Sequence, residues 1–283
     1  MASLLRTAFA RVTAAIGFGC IAQVAHAAGF GQPEPWQVAM QQPGTALAAE
    51  MHSFHTELMW IITAITLFVL ALLVVVIVRF NEKANPTPSK TSHNTAIEIA
   101  WTVVPVLILV LIAIPSFRLL RNQLIIPKPD LTLKTTGHSW YWSYEYPADQ
   151  GGGFRFDSNI IEEKDLKPGQ PRLLAVDNEV VVPLNKVVRL QVTSADVMHS
   201  WGVPSLGFTM DAIPGRLNEI WFKAERAGVY YGQCRELCGQ RHAYMPIAVR
   251  AVSEAEYAAW LVEAKKKFAS TASDGVKFAD AQR

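Results

Sequence analysis

Cys234, Cys238, His242 and Met245 fall within the twelve residues Cys234-Arg235-Glu236-Leu237-Cys238-Gly239-Gln240-Arg241-His242-Ala243-Tyr244-Met245. Thiolate, imidazole and thioether together suit copper, whereas a closed structural zinc site normally has no thioether. A mononuclear blue-copper site takes one Cys, one His and a weak axial Met from such a loop, with a second His from far upstream. This loop has one thiol more than that. Two thiolates on one turn can bridge two copper ions, leaving each ion one His and one weak ligand, so the residue types predict a binuclear centre. His199, in Met198-His199-Ser200-Trp201, offers the distant imidazole, and a loop carbonyl can be the remaining weak ligand, with Glu236 standing between the two Cys.

Cys234-x-Glu236-x-Cys238-x-x-x-His242-x-x-Met245 with His199-Ser200-Trp201 resembles the CuA site of the cytochrome c oxidase subunit II family. Gly137-His138-Ser139-Trp140-Tyr141-Trp142-Ser143-Tyr144-Glu145-Tyr146 and Asp211-Ala212-Ile213-Pro214-Gly215-Arg216 match it too, and the resemblance runs from about His52 to Trp260. It implies copper ligation by His199, Cys234, the Glu236 carbonyl, Cys238, His242 and Met245. It also implies a magnesium ion at the Glu236 side chain, shared with subunit I. Trp140 matches the family's entry point for electrons from cytochrome c, and Glu98 the glutamate at the mouth of a proton pathway in subunit I. Acidic positions matching Glu145, Asp157, Asp177 and Asp196 imply a docking surface for a basic cytochrome. Subunit I, with its heme and copper-B, and subunit III are the implied partners.

The residues alone leave several of these roles open. On the residues alone Glu98 reads first as a first-turn carboxylate facing the helix dipole rather than as a proton relay, and the docking carboxylates as ordinary solvated surface. Alternate aromatics make Trp142 and Tyr144 a packed sheet face, and His138 reads as a structural histidine because the copper set is complete without it. Arg235 stands where the family more usually has a small residue. The chain has no C-x-x-C-H for covalent heme, so no heme is expected in it. A membrane-tethered copper carrier and a nitrous-oxide-reductase-like copper domain are the rival readings, although the second would not need a membrane hairpin. A quinol oxidase subunit would share the architecture but lack the copper ligands.

These ligands have to be held by something. Met59 to Val78 is a run of uncharged, mostly apolar residues about 30 Å long as a helix, the thickness of a bilayer core. Ile99 to Phe117 is a second such run, with Pro105 and Pro115 inside it. The polar connection between them makes a transmembrane hairpin over residues 55–122. Residues 1–27 have a basic start, an apolar run and Ala25-His26-Ala27, the pattern of a cleaved signal peptide. Its removal takes Cys20 with it, leaves a periplasmic lead over 28–54, and puts the hairpin connection in the cytoplasm and the copper domain outside a bacterial cell membrane.

From Asp130 short β-rich runs alternate with turns, and over 130–252 these predict an all-β sandwich or barrel, cupredoxin-like by the resemblance. The runs are Leu131–Thr136, Ser139–Tyr146, Arg172–Val176, Lys186–Thr193, Glu219–Lys223, Gly228–Gln233 and Pro246–Val252. Ser253-Glu254-Ala255-Glu256 fits a capping box opening a helix over 253–268, and the tail 269–283 reads as disordered. Basic and acidic residues nearly balance from 130 onward, and nothing points to nucleic acid.

Overall fold

The computed structural model describes residues 30–268; the signal peptide read over 1–27 and the tail read over 269–283 lie outside them. Two long helices, α1 (Ala46–Arg79) and α2 (Thr95–Leu124), precede a ten-stranded β-domain and a closing helix, α3 (Glu254–Lys267). The apolar spans lie inside α1 and α2, which at 34 and 30 residues run about 51 and 45 Å. Both therefore outreach a bilayer core. The helix α1 starts within the segment read as a lead because Thr45 caps it: the Ala48 N–H donates to Thr45 Oγ1 at 2.9 Å. Asn94 caps α2, accepting from the Ala96 and Ile97 N–H groups.

The strands are β1 (Leu131–His138), β2 (Tyr141–Tyr146), β3 (Phe154–Ser158), β4 (Val180–Pro183), β5 (Val188–Ser194), β6 (His199–Val203), β7 (Phe208–Ala212), β8 (Asn218–Phe222), β9 (Gly228–Cys234) and β10 (Pro246–Val252). They form two five-stranded sheets, ordered β3-β2-β1-β5-β8 and β4-β10-β9-β6-β7. The β1–β5 and β4–β10 pairs are parallel and the rest antiparallel. Trp142, Tyr144, Trp201 and Tyr230 fill the space between the sheets with their rings fully buried. Three hydrogen bonds tie the layers: Trp201 Nε1 donates to Tyr144 Oη at 3.1 Å, and Tyr146 Oη donates to the Val181 carbonyl at 2.8 Å while accepting the Val181 N–H at 3.0 Å. The buried hydroxyl and indole groups of these aromatic residues thus have partners.

Two features differ from the expectation. The run Arg172–Val176 is a turn, with Leu173 at φ 64° and one bridge from Val176 to Ile160, because a left-handed residue breaks the pleat. Strands β3, β4, β6 and β7 are short and were not anticipated; β4 ends on Pro183 at a sheet edge, where a missing N–H costs nothing. The capping box at Ser253 and Glu256 is present, and α3 lays Trp260 against Tyr146 and Phe154.

The β-domain sits on the hairpin through the turn that follows β6. Gly44 N–H donates to the Ser205 carbonyl at 2.7 Å and Thr45 Oγ1 to that of Leu206 at 3.0 Å. Trp221 on β8 donates to the Asn122 carbonyl on α2 at 3.1 Å. The strand that begins with His199 therefore runs straight into the contact with the membrane helices.

Candidate metal centre

Cys234 ends β9 and Met245 precedes β10, so an antiparallel strand pair holds both ends of the loop Cys234–Met245. His199 opens β6, the neighbour of β9, and Trp201 pairs with Cys234. Sheet register thus brings the distant imidazole to the loop. The ligand atoms of His199, Cys234 and Cys238 all lie within 4.8 Å of one another, and all three residues are buried. Cys238 Sγ is 3.5 Å from Met245 Sδ and 3.6 Å from His242 Nδ1. Cys234 Sγ is 3.2 Å from the Glu236 carbonyl oxygen. All six atoms expected to hold copper are gathered at one end of the sandwich.

The two sulfurs are 3.9 Å apart, far beyond the roughly 2.05 Å of a disulfide. Both cysteines are free. His199 Nε2 lies 2.8 Å from Asp196 Oδ1, and an ionised carboxylate only accepts, so Nε2 carries the proton. That leaves Nδ1 turned to the sulfurs, buried and without a hydrogen-bond partner. A fully buried imidazole with one nitrogen oriented by a carboxylate and the other unmatched is the arrangement of a metal ligand. Gly137 makes room for it, since a Cβ there would come within 2.8 Å of His199 Cδ2.

Charge fits the same reading. Burial pushes the Cys234 thiol up, but His199 and the Ser200 and Glu236 backbone outweigh it and bring Cys234 to about 7. Burial and the adjacent Cys234 push Cys238 to about 12. Burial lowers His199, but Cys234 and Asp196 raise it on balance. Against its own burial, Asp196 is held well below the usual carboxylate range by His199 and Ser139. Two sulfurs this close resist ionising together, and a shared cation removes that resistance. The donor set fits copper.

The other predicted residues fall in different places. Trp140 lies in the tight turn between β1 and β2 rather than on a strand, partly exposed, and its Nε1 donates to the Cys238 carbonyl at 3.1 Å. His138 Nε2 pairs with Ser143 Oγ at 3.0 Å and stands apart from the sulfurs. Glu236 and Arg235 are exposed, with the Arg235 stem lying over Gly202. Glu98 is in the first turn of α2, at the end remote from the β-domain. Among the acidic residues read as docking sites, Asp157 and Asp177 are exposed. Glu145 is instead 8% exposed and paired with Lys134 at 3.1 Å, because its strand neighbour supplies the cation it needs when buried. Asp196, though partly open, is occupied by His199 and by the Ser139 N–H at 2.7 Å. That orienting role was missed; the Asp196-x-x-His199 spacing was its only signal.

Comparison with known proteins agrees with this geometry. A family model described as "Cytochrome C oxidase subunit II, periplasmic domain" matches residues 131–252, and one described as "Cytochrome C oxidase subunit II, transmembrane domain" matches 33–119. A probable cytochrome c oxidase subunit 2 from Rickettsia felis is 52% identical over 83% of this chain and 74% of its own length. Cytochrome c oxidase subunit 2 from Cereibacter sphaeroides is 45% identical over 83% of each chain. A crystal structure of the periplasmic domain of subunit II of cytochrome oxidase (CoxB) of Bradyrhizobium japonicum is 58% identical, covering 51% of this chain and 99% of that one with a TM-score of 0.48. Hairpin and β-domain are thus matched separately and together, and the chain, a membrane protein with two spans, belongs to the cytochrome c oxidase subunit II family.

Proposed function

We propose that this subunit is a one-electron relay, taking electrons from cytochrome c and passing them to heme in subunit I, where oxygen is reduced and protons are pumped. The observation that carries the reading is the gathering of four further donor atoms around two free, buried thiols, with a partly exposed indole hydrogen-bonded to the loop that bears them. His199, Cys234, the Glu236 carbonyl, Cys238, His242 and Met245 would hold the two copper ions. When bound, the copper pair would supply one-electron redox chemistry, with the electron shared between the two ions so that these ligands would move little as it came and went.

The chain's own residues supply rigidity and access. Asp196 holds the His199 ring, and the indole of Trp142 donates to the Met245 carbonyl at 3.3 Å, pinning the loop's last residue. Trp140 links the surface to the Cys238 backbone through one hydrogen bond. A cytochrome would dock over Trp140 against Asp157 and Asp177, with Asp196 adding its field from beneath and Glu145 contributing least because Lys134 neutralises it. The exposed Glu236 carboxylate would take magnesium where subunit I meets this loop. Glu98, roughly 40 Å along α2 from the β-domain end, would stand at a proton entry on the opposite, cytoplasmic side. The signal peptide over 1–27 puts the copper domain in the periplasm, and subunit III completes the assembly.

The test is stopped-flow reduction of the intact oxidase by cytochrome c. Trp140→Phe keeps an aromatic ring but replaces the indole with a smaller one and removes the hydrogen bond to the Cys238 carbonyl. We expect the copper spectrum to persist while electron entry slows by about tenfold or more, an added barrier of about 1.4 kcal/mol. Unchanged entry would remove Trp140 from the route, and ready surrender of copper to a chelator would favour the carrier.

A further inference from the structure

Residues 30–45 form a strap whose two ends are fastened to the β-domain. At one end the Tyr231 N–H donates to the Gly31 carbonyl at 2.7 Å, and Phe30 packs edge-on to Tyr230 under the Arg226 guanidinium. At the other end Gly44 donates to Ser205 at 2.7 Å and accepts from the Glu225 N–H at 3.0 Å. Between these points Gln41 accepts from Ser205 Oγ at 3.2 Å and Pro33 lies beside β9, while the turn between them projects away. Trp36 is 96% and Val38 100% exposed, two of the most exposed apolar side chains among the described residues. Ala39 and Met40 then lie along α1, facing Met59 and Trp60 across a notch of about 390 Å³ whose other end is lined by His52 and His55.

Met59 opens the uncharged run that crosses the bilayer, and Ala39 and Met40, next to Val38 in the chain, line the notch with it, which brings this part of the strap to the boundary between water and lipid. Trp is enriched at that depth because its ring is apolar and its N–H is not. The strap and the first turns of α1 carry no Lys or Arg over residues 30–57. The carboxylate of Glu50, at the base of this region, is engaged by Asn122 and Arg118. The strap therefore offers anionic headgroups no cation, and what its tip presents to a bilayer is apolar surface. Trp36 also sits at φ 61°, a conformation bulky side chains rarely adopt, and among the described residues no ring packs against it to offset that cost. Because both ends are already fixed, inserting the tip orders little additional chain.

We propose that Trp36 and Val38 are an interfacial anchor inserted into the leaflet beneath the β-domain, with a phospholipid acyl chain lying in the notch between Met40 and Trp60. The anchor gives the β-domain a third hold on the membrane beside α1 and α2, fixing how it stands over the bilayer. The inference rests on the two-span arrangement but not on copper.

The experiment places a nitroxide at Val38→Cys in the oxidised, copper-loaded oxidase complex in phosphatidylcholine vesicles, without an electron donor, so that the oxygen used as a probe is not consumed. Wild type treated with the same label serves as the blank for Cys234 and Cys238. Power-saturation EPR compares collisions with oxygen, which partitions into lipid, and with a water-soluble nickel chelate. References are Asp149→Cys in an exposed β-domain turn and the most oxygen-accessible label among Leu72→Cys, Leu73→Cys and Val75→Cys in the span. We expect the oxygen-to-nickel ratio at position 38 to be several-fold above that at 149 and below that of the span. A ratio equal to that at 149 would put the strap in water and overturn the anchor. Shielding from both reagents would show a protein neighbour over the strap and would overturn it equally.

Discussion

At the scale of the residue, the centre depends on how His199 is held as much as on the sulfurs. Its ring is wedged between Gly137 and the edge of Trp142, with Asp196 on Nε2. Gly137→Ala would drive a methyl into the imidazole, and a strain of about 1–3 kcal/mol is expected. Thermal unfolding of the metal-free protein and copper retention against a chelator should both fall; retention at the wild-type level would mean the ring has room to yield. Asp196→Asn keeps the volume but removes the charge that fixes the tautomer. Copper affinity should drop about 10–100-fold with the metal-free fold intact, and an unchanged affinity would show that the carboxylate does not orient the ligand. The ligands themselves were legible because thiol, imidazole and thioether declare their chemistry by type. Asp196 was not, because its aim depends on a turn, and the same residue on a flat surface would be a docking charge. Trp140 was legible only by resemblance, since its hydrogen bond to Cys238 joins positions 98 residues apart.

At the scale of the element, hydrophobic runs identified both spans, yet the helices extend well past them, because Glu50, His52 and Glu57 contain no breaker and Thr45 supplies a cap. Long β runs with clear turn signals were legible as strands. The five-residue β3 and β6 were not, being held by pairing with neighbours rather than by local pattern. The junction after β6 was also invisible in sequence. Gly207 there has φ 84°, and a Cβ would come within 2.7 Å of Ala48 Cα on α1. Gly207→Val should cost about 1–3 kcal/mol of backbone strain and push α1 from the β-domain. Limited proteolysis between Pro43 and Ala46 should accelerate while the copper spectrum stays as it is. Equal protection in wild type and variant would mean the contact is not what seats the domain.

At the scale of the whole molecule, two bodies with different solvents share one chain. The hairpin exposes apolar side chains along both helices, and the sandwich buries its own and turns its donor atoms inward. The strand begun by His199 joins the copper site to that hairpin, which sets the site at a fixed place relative to the membrane. All of this rests on paired thiols binding two metal ions. The direct measurement is copper content per chain together with low-temperature EPR of the intact, metal-replete protein. A binuclear centre gives two coppers per chain and a mixed-valence signal split equally by both nuclei, a signal that Cys238→Ser abolishes. One copper per chain, a spectrum from a single nucleus, or Cys234 and Cys238 recovered as a disulfide in metal-replete material would contradict it.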